Sequence, residues 1–312
     1  MPNQLTQLKS PPNINREDYF QSANSLFHFM KEADYLHTAL SQKALIPRYC
    51  REDISFLKLN IDGTDFNEIA VLQKCFCDIP LHNITSKLPV NFETEEMWSN
   101  DHTKVYGEFA IAFSKPWGEL KYLQPVHYIN DTSSYSDVIQ KELIGSLNSD
   151  ELSSEQSDSV LYRLSLMKPL RGGMARILEG ISITKSKNFH DEQEWRYVPS
   201  PVAIRAYNTI EKHQIQPIIA NPNTINLNYG GRSFLDIQSE VFTDSLYRDL
   251  WLTFDYNDIR YLIVPNSQAR IDLITYILNL SDSLFNQGAE VQIQKSVLIS
   301  KILVLDEIRK DW

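Results

Sequence analysis

The chain has 312 residues, 42% of them hydrophobic, and its 30 lysines and arginines face 40 aspartates and glutamates, for a formal net charge of −10. Such a chain can bury a substantial core, as one large domain or two of ordinary size. It lacks a run of about 18 apolar residues to span a bilayer, and its acidity argues against a generally basic nucleic-acid surface, though a local basic groove is compatible with it. Cys50, Cys75 and Cys77 are too few and wrongly spaced for a secreted disulfide framework, so free thiols are expected. Met1 to Asn15 is polar and Pro-containing, unlike an export signal, and a cytoplasmic protein is the expectation.

In chain order, residues up to about Gln21 read as a tail. Ser25-Leu26-Phe27-His28-Phe29-Met30 reads as a first strand, and Glu32 to Leu45 as a helix in which Ala33, Leu36, Ala39 and Leu40 recur at three- and four-residue steps until Pro47 stops it. Arg51 to Asn67 is polar and turn-rich, and Val71 to Pro80 reads as a second strand. The stretch from Asn83 to Lys104 is a loop long enough to be a lid or binding segment. A third strand, Tyr106 to Ser114, puts Phe109, Ile111 and Phe113 on one face and leads into the turn Lys115-Pro116-Trp117-Gly118; a fourth is Pro125 to Ile129. The Ser- and Asp-rich run from Asp131 to Ser159 reads as an insertion or mobile excursion, and Lys168-Pro169-Leu170-Arg171-Gly172-Gly173 as a plain break. Beyond Pro199, helices over Val202 to Lys212 and Gln268 to Leu280 alternate with strands near Gln216 to Ile219, Ile259 to Val264 and Lys301 to Ile308. The expectation is an α+β protein: a core over residues 22–200 with a mobile insertion at 131–160, and a C-terminal α/β extension over 201–312 packed on it.

The stretch with the clearest site pattern is Asp191-Glu192-Gln193-Glu194-Trp195-Arg196-Tyr197-Val198-Pro199. Read as a strand, it places Glu192, Glu194, Arg196 and Val198 on one face and Gln193, Trp195 and Tyr197 on the other. With the aromatic rings in the core, both glutamates point to solvent or a cleft, and Arg196 is near enough to hold at least one ionised. The alternative is a solvated face with a surface ion pair. His28 shares its face with Leu26 and Met30, which reads on its own as a buried histidine bonded to a neighbour. Cys75-x-Cys77 has the wrong spacing for a zinc knuckle and no second cysteine pair supports it, so no metal is expected. Phosphate loops of the P-loop or Rossmann type and a nucleophile elbow are absent from the sequence.

The order Leu26-Phe27-His28-Phe29, Cys75-Phe76-Cys77-Asp78-Ile79-Pro80-Leu81, Tyr106-Gly107, Ile111 to Gly118, Pro125 to Ile129 and Asp191 to Pro199 resembles the AbiGi family of abortive phage-resistance proteins, over roughly residues 22–200. That resemblance implies a bacterial phage-defence role as the antitoxin-like half of a two-gene system, with a partner toxin or a phage component as partner. More distantly, a histidine on an early strand, a middle aromatic and a late glutamate are similar to the histidine-aromatic-glutamate ADP-ribosyltransferases, including DarT-like enzymes. This second resemblance implies an ADP-ribosyltransferase-like mixed or split sheet with flanking helices. It implies NAD as cofactor, with a nucleic-acid or protein target. Glu194 would be the catalytic glutamate with Glu192 paired to it, and His28 would hold a ribose hydroxyl. Phe76 or Tyr106 would stack on nicotinamide, and Arg196 would complete the cofactor site. Met30 departs from the pattern, standing where many such enzymes carry a hydroxyl residue. A catalytically silent binding protein on the same fold is the alternative.

Overall fold

The computed structural model describes residues 22–61, 63–85, 102–148, 153–178, 181–211 and 215–311. The expected tail over 1–21 and residues 86–101 of the expected long loop lie outside the described residues. The strands that position the cleft are β1 (Ser25–Met30), β2 (Arg48–Asp53), β3 (Glu68–Cys77), β4 (Phe109–Ser114), β5 (Gln124–Pro125), β6 (His127–Ile129), β7 (Met167–Pro169), β8 (Arg171–Leu178), β9 (Ile181–Asn188), β10 (Glu194–Tyr197), β11 (Ile218–Ile219), β12 (Ile259–Val264) and β13 (Ile302–Val304). Nine of them give a mixed sheet with the order β13-β12-β4-β1-β3-β10-β5, with β2 and β11 added to β3, while β6 with β7 and β8 with β9 form separate two-stranded pairs. Most pairs are antiparallel, and β12 runs parallel to β13. Helices cover the sheet, which makes the protein α+β.

β3 is long enough to carry different neighbours on its two halves. Its first half pairs with β2, Arg48 opposite Gln73, and with β11, Ile218 opposite Val71. Its last residues pair with β10, Glu194 opposite Cys77 and Tyr197 opposite Lys74, and meet β1 through one registered pair, Phe27 opposite Cys77. β1 and β2 therefore leave a gap beside Lys74 and Cys75. Alternation along β3 sends Phe76 into the largest core, with Leu26, Ile111, Phe113 and Trp117, while Cys77 joins Phe27, Phe29, Ala110 and Ala112 on the other face. β4 is buried on both faces, which is why it reads as an unbroken apolar run.

Several expected elements end elsewhere for local reasons. The first helix is α1 (Ala33–Gln42); Lys43 adopts a left-handed φ of 49° and its N–H caps the Ala39 and Leu40 carbonyls. Ala44 and Leu45, expected as helix, instead pair with Leu252 and Thr253. Tyr106 was expected in a strand; it closes the short helix α2 (His102–Tyr106), and Gly107, at φ 116°, turns the chain into β4. The run expected as an insertion holds α3 (Ser134–Leu147) and α4 (Ser154–Ser165), whose Ile139, Leu143, Val160 and Leu164 pack on Ile54, Leu57 and Val71. The expected last strand stops at Val304 and continues as a helix over Leu305–Asp311. From the C-terminal part, β12 pairs directly with β4. None of the described helices is long and apolar enough to cross a membrane.

Candidate functional site

Glu194 opens β10 directly opposite Cys77, and its backbone N–H donates to the Tyr128 hydroxyl at 2.8 Å. Glu192 is not on that strand. It ends a one-turn 3₁₀ segment, Phe189–Glu192, and Gln193, left-handed at φ 43°, reverses the chain between the two glutamates. The extended reading of residues 191–193 fails because Gln193 takes this turn conformation, yet both carboxylates still reach one place. Trp195 and Tyr197 pack against the largest core, as alternation requires.

Both carboxylates lie inside the protein, Glu192 at 3% and Glu194 at 5% exposure. Lys168, from β7, joins them: its Nζ donates to Glu192 Oε2 and to Glu194 Oε2, each at 2.8 Å. The Lys187 ammonium, on β9, sits 3.0 Å from Glu192 Oε1, which also accepts from the Tyr106 hydroxyl. Arg196 Nε donates to Glu194 Oε1 at 2.7 Å, its Nη1 to the Ser165 carbonyl at 2.7 Å, and its Nη2 lies 2.8 Å from Glu52 Oε2. Glu52 in turn accepts from Gln73 Nε2 at 2.6 Å. Three carboxylates thus meet three cations. Burial alone would raise the Glu194 carboxyl, but Arg196 and Lys168 outweigh it and hold Glu194 ionised, well below the usual carboxylate range. Burial likewise opposes ionisation of Glu192, and Lys168 and Lys187 overcome it. Lys168 is kept protonated by the same two glutamates against the pull of burial.

These groups form one wall of a cleft of about 590 Å³. His28, Tyr106, Glu192 and Glu194, brought from distant parts of the sequence, all line it, with Cys75, Cys77 and Lys168. His28 Nδ1, on β1, lies 2.8 Å from the Cys75 carbonyl on β3. A carbonyl only accepts, so Nδ1 carries the proton and Nε2 keeps its lone pair. Burial, helped by the nearby Lys74 ammonium, pushes the His28 pKa down to about 3, so the ring is neutral. By alternation His28 lies with Leu26, Met30 and Phe76 on one face of the sheet, while Cys77 and Glu194 lie on the other, so His28 meets the cleft from the opposite side of the strand gap.

Two expected site residues are placed elsewhere. Phe76 is fully buried in the core among Phe113 and Trp117, since alternation puts it on the face opposite Cys75 and Cys77. Arg196 is 0% exposed and faces Glu194, Glu52 and Ser165 with its nitrogens; it supports the carboxylate wall from behind. Met30 is buried in the same core as Phe76. Among the described residues, no group of three His, Cys, Asp or Glu side chains could hold a metal ion. The sequence reading missed Lys168, Lys187 and Glu52. Lys168 lay in a stretch read as a plain break, and only the parallel pairing of β7 with β6, Lys168 opposite Tyr128, brings it to the glutamates.

Comparison with known proteins gives a family. Residues 43–229 match the model of a family described as "Putative abortive phage resistance protein AbiGi, antitoxin". The chain is 31% identical over 279 residues to the "Abortive phage resistance protein AbiGi" of Lactococcus lactis subsp. cremoris, covering 86% of this chain and all of that one. No solved structure matches the chain.

Proposed function

The chain belongs to the AbiGi family of abortive phage resistance proteins, and from that premise we propose that its phage-defence role is exercised through the cleft, as an ADP-ribosyltransferase-like site that takes NAD. The observation that carries this reading is that an ionised Glu194 and Tyr106 line one cleft together with a neutral His28, which reaches it from the other face of the sheet at the strand gap. The cleft's volume of about 590 Å³ lies in the range of small-molecule and cofactor sites. Cleavage of the nicotinamide–ribose bond develops positive charge on the sugar. A fixed carboxylate against it stabilises that charge, as in glycosidases. Glu194 would supply the carboxylate, His28 Nε2 would accept a ribose hydroxyl proton, and Tyr106, whose hydroxyl is anchored on Glu192, would offer its ring to the nicotinamide. Met30, a thioether side chain buried in the core, offers the ligand no hydroxyl. The acceptor of the transferred group would be a nucleic acid or a protein.

One observation favours a second reading, a catalytically silent antitoxin-like protein that binds a partner toxin or a phage component. Both Glu194 oxygens are already engaged, Oε1 by Arg196 and Oε2 by Lys168, and an arrangement of this kind can serve the fold alone. The test is nicotinamide release from NAD by the purified protein, with and without host and phage extracts, alongside phage protection in cells. Release that disappears in a folded variant lacking the Glu194 charge supports the transferase. No release under any condition, with protection intact in that variant, leaves the silent reading.

A further inference from the structure

The two walls of the cleft differ in charge. On the Glu192 and Glu194 side, every carboxylate is matched by a cation. On the side of the gap, Lys74 lines the cleft with His28 and Arg48, and among the described residues no carboxylate pairs with it. Burial above all, with Arg48 adding to it, pushes the Lys74 ammonium down to about 8 against the opposing thiols of Cys50 and Cys75. Arg48 gives one nitrogen to Asp236 at 2.9 Å, which leaves the rest of its fork free to meet a ligand in the cleft. Phe27, Phe29, Met174 and Phe189 also line the cleft, apolar residues suited to a base or sugar face.

We propose that Lys74, with Arg48 beside it, is a phosphate-binding subsite, and that the cleft takes a small organic diphosphate, seated with its phosphates in the gap between β1 and β2. A half-buried ammonium without a counter-ion is stabilised by a bound anion, and a phosphate can satisfy a lysine and an arginine together. The cleft's volume of about 590 Å³ is on the scale of a nucleotide, and a free nucleotide-sized ligand is the occupant we infer. The inference rests on the cleft being the ligand site, as in the reading above, but needs no transfer chemistry at Glu194.

The test is calorimetric titration of the full chain with inorganic pyrophosphate and with ADP-ribose. Lys74→Met should weaken both by about 10- to 100-fold, the loss of a charged hydrogen bond, while Lys74→Arg should retain most of the affinity. Thermal unfolding checks that both variants are folded; removing an unpaired cation should not lower it. For the native protein, affinity should hold below pH 8 and fall as the pH rises above it, because the deprotonated amine loses the anion. Lys74→Arg should abolish that fall and Cys50→Ser should keep it; His28 is neutral throughout this range. Equal ADP-ribose affinity in the native protein and in folded Lys74→Met overturns the subsite. So does no binding of either probe by the native protein, or binding of oligonucleotides only. Retained pyrophosphate binding in a protein that never releases nicotinamide sustains the subsite while the transferase reading falls.

Discussion

Glu194→Gln is the substitution that chemistry suggests first, and the structure says what it does before any chemistry is measured. The amide keeps the shape and one acceptor but removes a charge from a buried set of three carboxylates and three cations, so Arg196 and Lys168 are left one charge in excess. Breaking a buried pair by neutralising one partner costs about 3–5 kcal/mol. For a chain of this size that corresponds to a fall in melting temperature on the order of 10 °C. Loss of phage protection by this variant therefore cannot be read as loss of catalysis. The companion variant Glu194→Gln/Lys168→Met removes a cation with the anion and should recover a large part of the stability, and it is the folded background in which nicotinamide release is to be measured. Chemical denaturation of native, single and double variants in parallel supplies the test. If Glu194→Gln unfolds at the native midpoint, or if the double variant is less stable than the single by a further several kcal/mol, the balanced network described here is wrong.

Three further outcomes follow from the geometry. His28 is neutral when folded and takes a proton on unfolding, so its contribution is complete above about pH 6.5 and is lost as pH falls toward 3; acid titration of stability should show a loss on the order of 3 kcal/mol once partial exposure is allowed for, absent in His28→Gln. Gly107→Ala places a Cβ 2.1 Å from the Met30 carbonyl at a φ of 116°, and should destabilise by at least about 2 kcal/mol and loosen Tyr106 from Glu192, measured by unfolding and by tyrosine fluorescence. Lys168→Met leaves Glu192 and Glu194 facing each other with one shared cation gone, which raises the carboxyl pKa values toward those of the unfolded chain; stability at neutral pH should be lower, but its further loss on acidification should be shallower than in the native protein, and an acid limb of unchanged slope would refute the bridging role.

What could be read from the sequence followed periodicity. Alternation in Glu194-Trp195-Arg196-Tyr197 placed the aromatic pair toward the core and the charged pair away from it, as the structure has them. The same rule, applied to Cys75-Phe76-Cys77, puts Phe76 opposite the cysteines; naming it as a stacking ring followed the family resemblance against the local pattern. Lys168 and Lys187 carried no such signal. A single lysine in a break or a hairpin has no periodicity, and its meaning comes from strand pairings that join residues 24 and 5 positions away to Glu192. Glu52 was hidden by a polar stretch read as turns, which is β2 and lies against β3. Long-range ion pairs depend on the sheet order, and the sheet order is what local patterns leave open.

The difference between an active and a silent cleft comes down to which cation can leave Glu194. Arg196 cannot: it is wholly buried, and moving it would also strip the Ser165 carbonyl and Glu52 of their partner. Lys168 can, because its ammonium lines the cleft and is held by two carboxylates rather than one. A swing toward Glu192 alone would leave Glu194 Oε2 with only its longer bond, 3.3 Å from Arg196 Nη2, while keeping the ion count of the wall unchanged. A ligand cation, or the positive charge that develops on a ribose, would then take the place Lys168 gives up, so the resting pairing and the proposed chemistry are two settings of one carboxylate. In a silent protein Lys168 has no reason to move, and Glu194 is only the keystone between β10 and β3. The acid limb of Lys168→Met, set beside nicotinamide release in the charge-neutral double variant, reads the first property without the second. A protein that needs Lys168 for stability and Glu194 for nothing else is an antitoxin built on this sheet; one that loses release with the Glu194 charge while staying folded uses the wall as a catalyst.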